Sequence, residues 1–216
     1  AATLVAVALS INQMFNLGFL VGYVMPSLRY FYLLLALLLP LVFVIWPARR
    51  RAADRMPFYD LALAVLTTAI LVYFAISAEK IVDEAWEYSA PTLAVVASLV
   101  LWAITIEATR RAGGLVLAMI ALVISLYPTV AELIPGPIQG QQTSLTGVAI
   151  FHAMSSESIM GIPMRAFAGL IIGFLIFGVA LQRTGGGQFF MDLAFGLLGH
   201  TRGGPAKVAI FGSALM

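Results

Sequence analysis

The chain has 216 residues, 62% of them hydrophobic and 10% charged, with a mean hydropathy of +1.01 and a net charge of +2. A soluble domain carries about 25% charged residues and spreads them along each helix to make a wet face. Here they cluster between apolar runs of roughly the 20 residues that a bilayer crossing takes, which excludes a soluble enzyme or a nucleic-acid-binding domain, and the lack of cysteine excludes disulfides and thiolate sites.

Hydropathy predicts an all-α polytopic membrane protein with six transmembrane helices, over about residues 3–25, 28–46, 58–78, 91–107, 114–134 and 164–182. The first run, of about 23 residues, exceeds the 7–15 of a signal-peptide core and lacks a basic leader, so it is expected to be a retained helix. Asn12, Gln13 and Asn16 fall in it at helical-face spacing. Buried amides in lipid hydrogen-bond across helices, for about 0.6–2 kcal/mol, so packing is the expected role. The chain begins Ala1-Ala2 and stops at Met216 inside an apolar run, as a fragment cut at both ends would.

The connections carry an orientation signal. If the six spans alternate, Arg49, Arg50, Arg51, Arg55, Arg110, Arg111, Arg183, Arg202 and Lys207 fall on one side. Arg29, Lys80 and Arg165 fall on the other, beside Glu79, Asp83, Glu84, Glu87, Glu132 and Glu157. Nine against three is the positive-inside pattern and puts the N-terminus in the cytoplasm of a bacterial inner membrane. Trp46, Trp86 and Trp102 near span ends fit an aromatic belt.

Between spans three and four, the acidic stretch 79–87 carries Ile81, Val82, Ala85 and Trp86 and predicts a short interfacial helix on the outer face. After span five, Pro128, Pro135 and Pro137 with Gly136 and Gly140 break the helix, and a polar stretch from Gln139 to Thr146 follows. Gly161-Ile162-Pro163 opens span six, where proline's missing N–H costs nothing. Beyond Gly185-Gly186-Gly187, residues 188–199 place Phe189, Phe190, Leu193, Ala194, Leu197 and Leu198 on one face, a short amphipathic helix. Gly203-Gly204-Pro205 then restarts a helix. Such a restart is how a re-entrant hairpin or broken helix begins, and transporters build their sites from half-helices of that kind; an ordinary seventh span starting there is the alternative.

Few residues offer chemistry. Glu107 lies three and four residues before Arg110 and Arg111, spacing that favours a structural ion pair on one helix face. His152 with Ser155, Ser156 and Glu157 has the ingredients of nucleophilic catalysis, but a triad is a geometry, and no elbow or oxyanion motif accompanies them. His152 and His200 are too few and too far apart for a metal site. Arg165, just inside span six, is expected to snorkel to the interface. Nothing resembles a nucleotide-binding glycine pattern.

Several segments resemble one family. They are Ile106-Glu107-Ala108-Thr109-Arg110-Arg111, Gly161-Ile162-Pro163, Trp46-Pro47-Ala48-Arg49-Arg50-Arg51 and Tyr59-Asp60. Above all, Arg202-Gly203-Gly204-Pro205-Ala206-Lys207-Val208-Ala209 leads into Gly212-Ser213-Ala214-Leu215-Met216. Together they are similar to the fused permease of tripartite ATP-independent periplasmic (TRAP) transporters. The resemblance implies that residues 1–112 are a four-helix small-subunit-like membrane domain and 113–216 the start of the large, DctM-like permease domain. It implies import of organic anions, dicarboxylates or acidic sugars, coupled to Na+ and delivered by a periplasmic substrate-binding protein, with no enzymatic activity. It also implies that the substrate and ion site lies in hairpins whose first tip follows Met216, with Gly212 and Ser213 on its approach. The competing expectation is a non-transporting membrane scaffold. The glycine-proline restart separates the two, because a scaffold has no need of a broken helix.

Overall fold

The computed structural model describes residues 2–17, 22, 24–48 and 57–215. The basic cluster Arg49, Arg50, Arg51 and Arg55 lies outside the described residues, as does Met216. Every regular element among the described residues is helical. The elements form two compact units, residues 1–169 and 170–216.

In the first unit, α1 (Ala2–Met14) is followed by α2 (Ser27–Ile45), α3 (Phe58–Ile76) and the short α4 (Ala78–Asp83). Next come α5 (Thr92–Gly113), α6 (Leu115–Leu126), two 3-10 turns (Tyr127–Thr129 and Ala131–Leu133) and α7 (Leu145–Met154). A single turn, α8 (Ile162–Arg165), leads into a π-helical turn, Ala166–Ile171. The second unit holds α9 (Ile172–Arg183), α10 (Gly186–Leu198) and α11 (Gly204–Leu215).

Four helical runs are long and apolar enough to cross a membrane: α2, α3, α5 and the run Ile162–Arg183. At 1.5 Å per residue, 19 to 22 residues reach about 28–33 Å, the thickness of a bilayer core. The chain is thus a multi-pass helical membrane protein, as its composition predicts.

Two of the six expected spans are shorter than predicted. The first stops at Met14, where the backbone turns and Asn16 takes a left-handed φ of 48°; asparagine tolerates that conformation, which ends a helix. Residues 18–21 and 23 of that span lie outside the described residues. The fifth stops at Leu126, because Pro128 has no N–H to continue the ladder and the chain tightens into 3-10 turns.

The core of the first unit centres on α2 and α3. Tyr32, Leu34, Phe43, Leu71 and Phe74 are fully buried there, with the Tyr32 and Phe74 rings 5.4 Å apart. Two tyrosines of α2 fasten other elements. Tyr32 Oη donates to the Ala153 carbonyl at the end of α7 (2.8 Å). Tyr30 Oη lies 3.0 Å from Ser10 Oγ of α1 and 3.2 Å from the Ala168 carbonyl in the π turn. Hydroxyls elsewhere turn back on their own helix: buried Ser98 donates to Ala94 O, buried Thr67 to Leu63 O and half-buried Thr105 to Leu101 O, at 2.7–2.8 Å. That satisfies them without water, the condition for polar side chains in an apolar surrounding.

The acidic stretch forms α4 and a following turn, as expected. Its apolar residues divide, however: Ile81 and Trp86 are buried and Val82 is exposed. The Trp86 indole N–H donates to Glu84 (2.7 Å), so this ring packs inward and does not stand in a belt.

Candidate functional site

Three places gather the residues that sequence singles out. The first lies where α2 and α5 end and α3 begins. Glu107 accepts from Arg110 through both carboxylate oxygens (2.7 Å each) and from Arg111 Nε (2.7 Å), which is the ion pair expected from spacing. Arg111 Nη1 also meets Asp60 Oδ1 at 2.5 Å. The Arg111 side chain is 4% exposed and that of Asp60 0%. The guanidinium lies 4.8 Å from the Phe43 ring centroid, within cation–π range. The Ala48 backbone N–H donates to the other Asp60 oxygen (3.3 Å). Asp60 stands in the first turn of α3, where the helix dipole favours an anion. Two carboxylates and two guanidinium groups leave the cluster neutral, and its buried charges are paired, as buried charges must be. Its chemistry is fastening, not proton transfer.

The second place is the segment after α7. The Ser144 hydroxyl caps α7 by accepting from the Gly147 N–H (3.1 Å). His152 Nδ1 lies 3.3 Å from Ser158 Oγ, and its Nε2 is buried with no hydrogen-bond partner. Burial pushes the imidazole below its ordinary pKa, against the opposing pull of a hydrogen bond to the Ser125 backbone. Among the described residues no carboxylate orients this ring, and the Ser155 hydroxyl is occupied in accepting from the Glu157 N–H (3.1 Å). Histidine, serines and glutamate therefore share a segment without forming a triad. His152, Ser156, Glu157 and Ser158, but not Ser155, line a cavity of about 890 Å³ bounded by α2, α3, α5, α6, α7 and the loop to α8.

The third place is the glycine-rich helix pair. Gly185, at φ 81°, starts α10, and Gly203, at φ 75°, precedes α11. A Cβ on Gly204 would stand 2.5 Å from the Gly199 carbonyl oxygen, so the tight turn between the helices admits only glycine there. Ala194 and Val208 are buried where α10 and α11 pack. Gly212 belongs to this contact: a Cβ on it would meet the Met191 sulfur at 2.6 Å. Ser213 is exposed, and its hydroxyl donates to Ile210 O (2.9 Å) in its own helix. The amphipathic helix expected over 188–199 is α10, beginning two residues earlier.

The remaining candidates stay apart from these. Gln13 donates to Met25 O (3.4 Å), a local contact near the end of α1. Arg165 is exposed at the end of α8, beside a small hollow of about 190 Å³ that Gln13, Ser27 and Tyr30 also line. Sequence reasoning missed Asp60 as the partner of Arg111, since 51 residues separate them. Its one signal was an acidic residue opening an apolar span.

Membrane-length helices, apolar surfaces and paired charges at the helix ends define a multi-pass membrane protein whose broken helices suit transport. A family model described as the tripartite ATP-independent periplasmic transporter, DctM component, matches residues 100–216. The chain belongs to this family, and is thus a permease component of TRAP type. No curated protein matches it, and no solved structure does.

Proposed function

We propose that this permease imports organic anions, of dicarboxylate or acidic-sugar type, in symport with Na+, and takes them from a periplasmic substrate-binding protein. The family match over residues 100–216 carries this reading. The helix pair α10–α11 supports it, because its Gly203-Gly204-Pro205 restart interrupts the helical run as the half-helices of transporters do. In this reading residues 1–112 are the small four-helix part and residues from 113 onward belong to the large part. The N-terminus is cytoplasmic and the membrane is a bacterial inner membrane. Gly212 and Ser213 lie on the approach to the substrate site, Gly212 through its close packing on Met191.

The test is uptake by the full-length protein in proteoliposomes with its binding protein outside. Labelled dicarboxylates and acidic sugars are offered under an inward Na+ gradient, with a K+ gradient as control. Accumulation that needs both Na+ and the binding protein is expected. Accumulation that ignores the cation or the binding protein overturns the reading. Ser213→Ala is expected to slow uptake while leaving stability unchanged, since the hydroxyl contacts only its own turn.

A further inference from the structure

We infer that the Tyr30 hydroxyl is a two-position latch on the helical register of the run Ile162–Arg183. Turned to the Ala168 carbonyl it holds the π-helical turn, and turned to Ser10 it lets that turn close into ordinary α-helix. The turn, Ala166–Ile171, lies inside a run long enough to cross a membrane. Single π turns within α-helices are rare and are frequent at functional sites. Pairing there runs from each N–H to the fifth carbonyl back, so the turn takes in one more residue than an α-turn does. Where the helix returns to its usual pairing, one carbonyl is passed over and needs a donor from elsewhere. Ala168 O, within the turn, receives such a donor: Tyr30 Oη of α2, at 3.2 Å.

That donor is contested. Ser10 of α1 spends its own proton on Ala6 O (2.8 Å), which leaves Ser10 Oγ as an acceptor 3.0 Å from the same Tyr30 hydroxyl. A phenol has a single proton to give, and here it faces two acceptors at nearly equal distance. Tyr30, Ser10 and Ala168 are 3%, 0% and 1% exposed, so water cannot serve the acceptor that is left out. With the proton on Ala168 O, the π turn is satisfied. With it on Ser10, Ala168 O is buried without that donor, a costly state. The turn relieves it by closing, because in α register the Ile172 N–H comes to Ala168 O. Closing moves every side chain after the turn round the helix by one residue's step, about 100°. The seating of α1 on α2 thereby bears on which side chains α9 presents on a given side. Tyr30 acts through the carbonyl and is a positioning residue.

The test places single cysteines at successive positions of α9, from 172 to 181, in the full-length protein. Their reaction with N-ethylmaleimide in micelles is read on peptides from that stretch, and reactivity should rise and fall with the helical period. Tyr30→Phe, which removes only the hydroxyl, should move the reactive positions by one residue toward the N-terminus. Ser10→Ala should leave them in place, since Ala168 O is then the acceptor left for Tyr30. Deleting Gly169 from the Tyr30→Phe variant should return the pattern to that of the unmodified protein, because an α-turn with one residue fewer restores the original phase. Gly169 suits the deletion, being exposed and with nothing within 4 Å of where a side chain would start. Mere loosening from a lost hydrogen bond would raise reactivity evenly, and no deletion would repair it. An even rise, an unmoved pattern in Tyr30→Phe, or a pattern that the deletion fails to restore overturns the inference. Deletion of Gly169 alone gives a second reading without any change at Tyr30. The pattern is expected to stay, and a shift by one residue would mean that the turn holds no extra residue.

Discussion

Arg111 keeps its guanidinium within reach of Asp60, Glu107 and the Trp46 carbonyl while almost none of its side chain is exposed. Removing one partner of a buried ion pair leaves the other charged and unpaired, at about 3–5 kcal/mol, whereas replacing both with apolar groups is often neutral. Arg111→Met is therefore expected to lower stability by about that amount, and adding Asp60→Leu should restore most of the loss. Reversible denaturation of the full-length protein in micelles measures both, and a double variant as unstable as the single would show that the pair is not coupled. Gly204 sets a second residue-scale limit. Its neighbour is the Gly199 backbone, which cannot swing aside as a side chain could, so Gly204→Ala should loosen the α10–α11 pair by about 1–3 kcal/mol. Gly212→Ala presses only on the flexible Met191 side chain and should cost less. The Glu107 pair was legible because i+3 and i+4 spacing fixes it on one helix. Asp60 was not, since only the packing of α3 on α5 brings it to Arg111. The roles of Gly204 and Gly212 could be told apart only once Gly199 and Met191 were seen beside them.

At the scale of elements, α2 and α3 form an antiparallel pair fastened at both ends, and the two fastenings differ in kind. At one end lies the dry Asp60–Arg111 cluster. At the other, Arg29 donates to the Ala75 carbonyl (3.0 Å) and pairs with Glu79 (3.1 Å), whose side chain is 56% exposed. A wet pair contributes about 0.2–1 kcal/mol and weakens with salt. Glu79→Gln should accordingly shift the denaturation midpoint little, and less still at high salt, under the conditions where Arg111→Met shifts it strongly. A large effect of Glu79→Gln would mean that the membrane surface shields this end as well. The same scale explains which spans were legible. α2, α3, α5 and the run Ile162–Arg183 have uninterrupted apolar length, which hydropathy measures directly. α1 and α6 end on single-residue events, the left-handed Asn16 and the missing N–H of Pro128, which a window average smooths away. Pro128 was recognised as a breaker, yet the averaged hydropathy still carried the fifth span past it to residue 134.

For the whole molecule, the open matter is how the chain passes between α5 and the run Ile162–Arg183. If only the four membrane-length helices cross, Arg165 joins Arg110 and Arg111 on one side, and Arg183, Arg202 and Lys207 move to the other. The basic residues then divide seven against five, and the orientation signal nearly vanishes. If α6 and its 3-10 turns also carry the chain across, the division returns to nine against three. Twelve α-helical residues reach only about 18 Å, short of the roughly 30 Å of a bilayer core. The charge bias nonetheless favours a broken crossing. Residues 1–216 hold no cysteine, so labelling read on peptides from this stretch reports the replacement alone. Ser89→Cys and Gln141→Cys, both at exposed positions, are expected to react with an impermeant maleimide from the periplasmic side. Ala112→Cys and Thr184→Cys should react only from the cytoplasmic side. Labelling of Gln141→Cys together with Ala112→Cys would mean that α6 turns back within the membrane, and Arg183, Arg202 and Lys207 would then lie in the periplasm against the positive-inside rule.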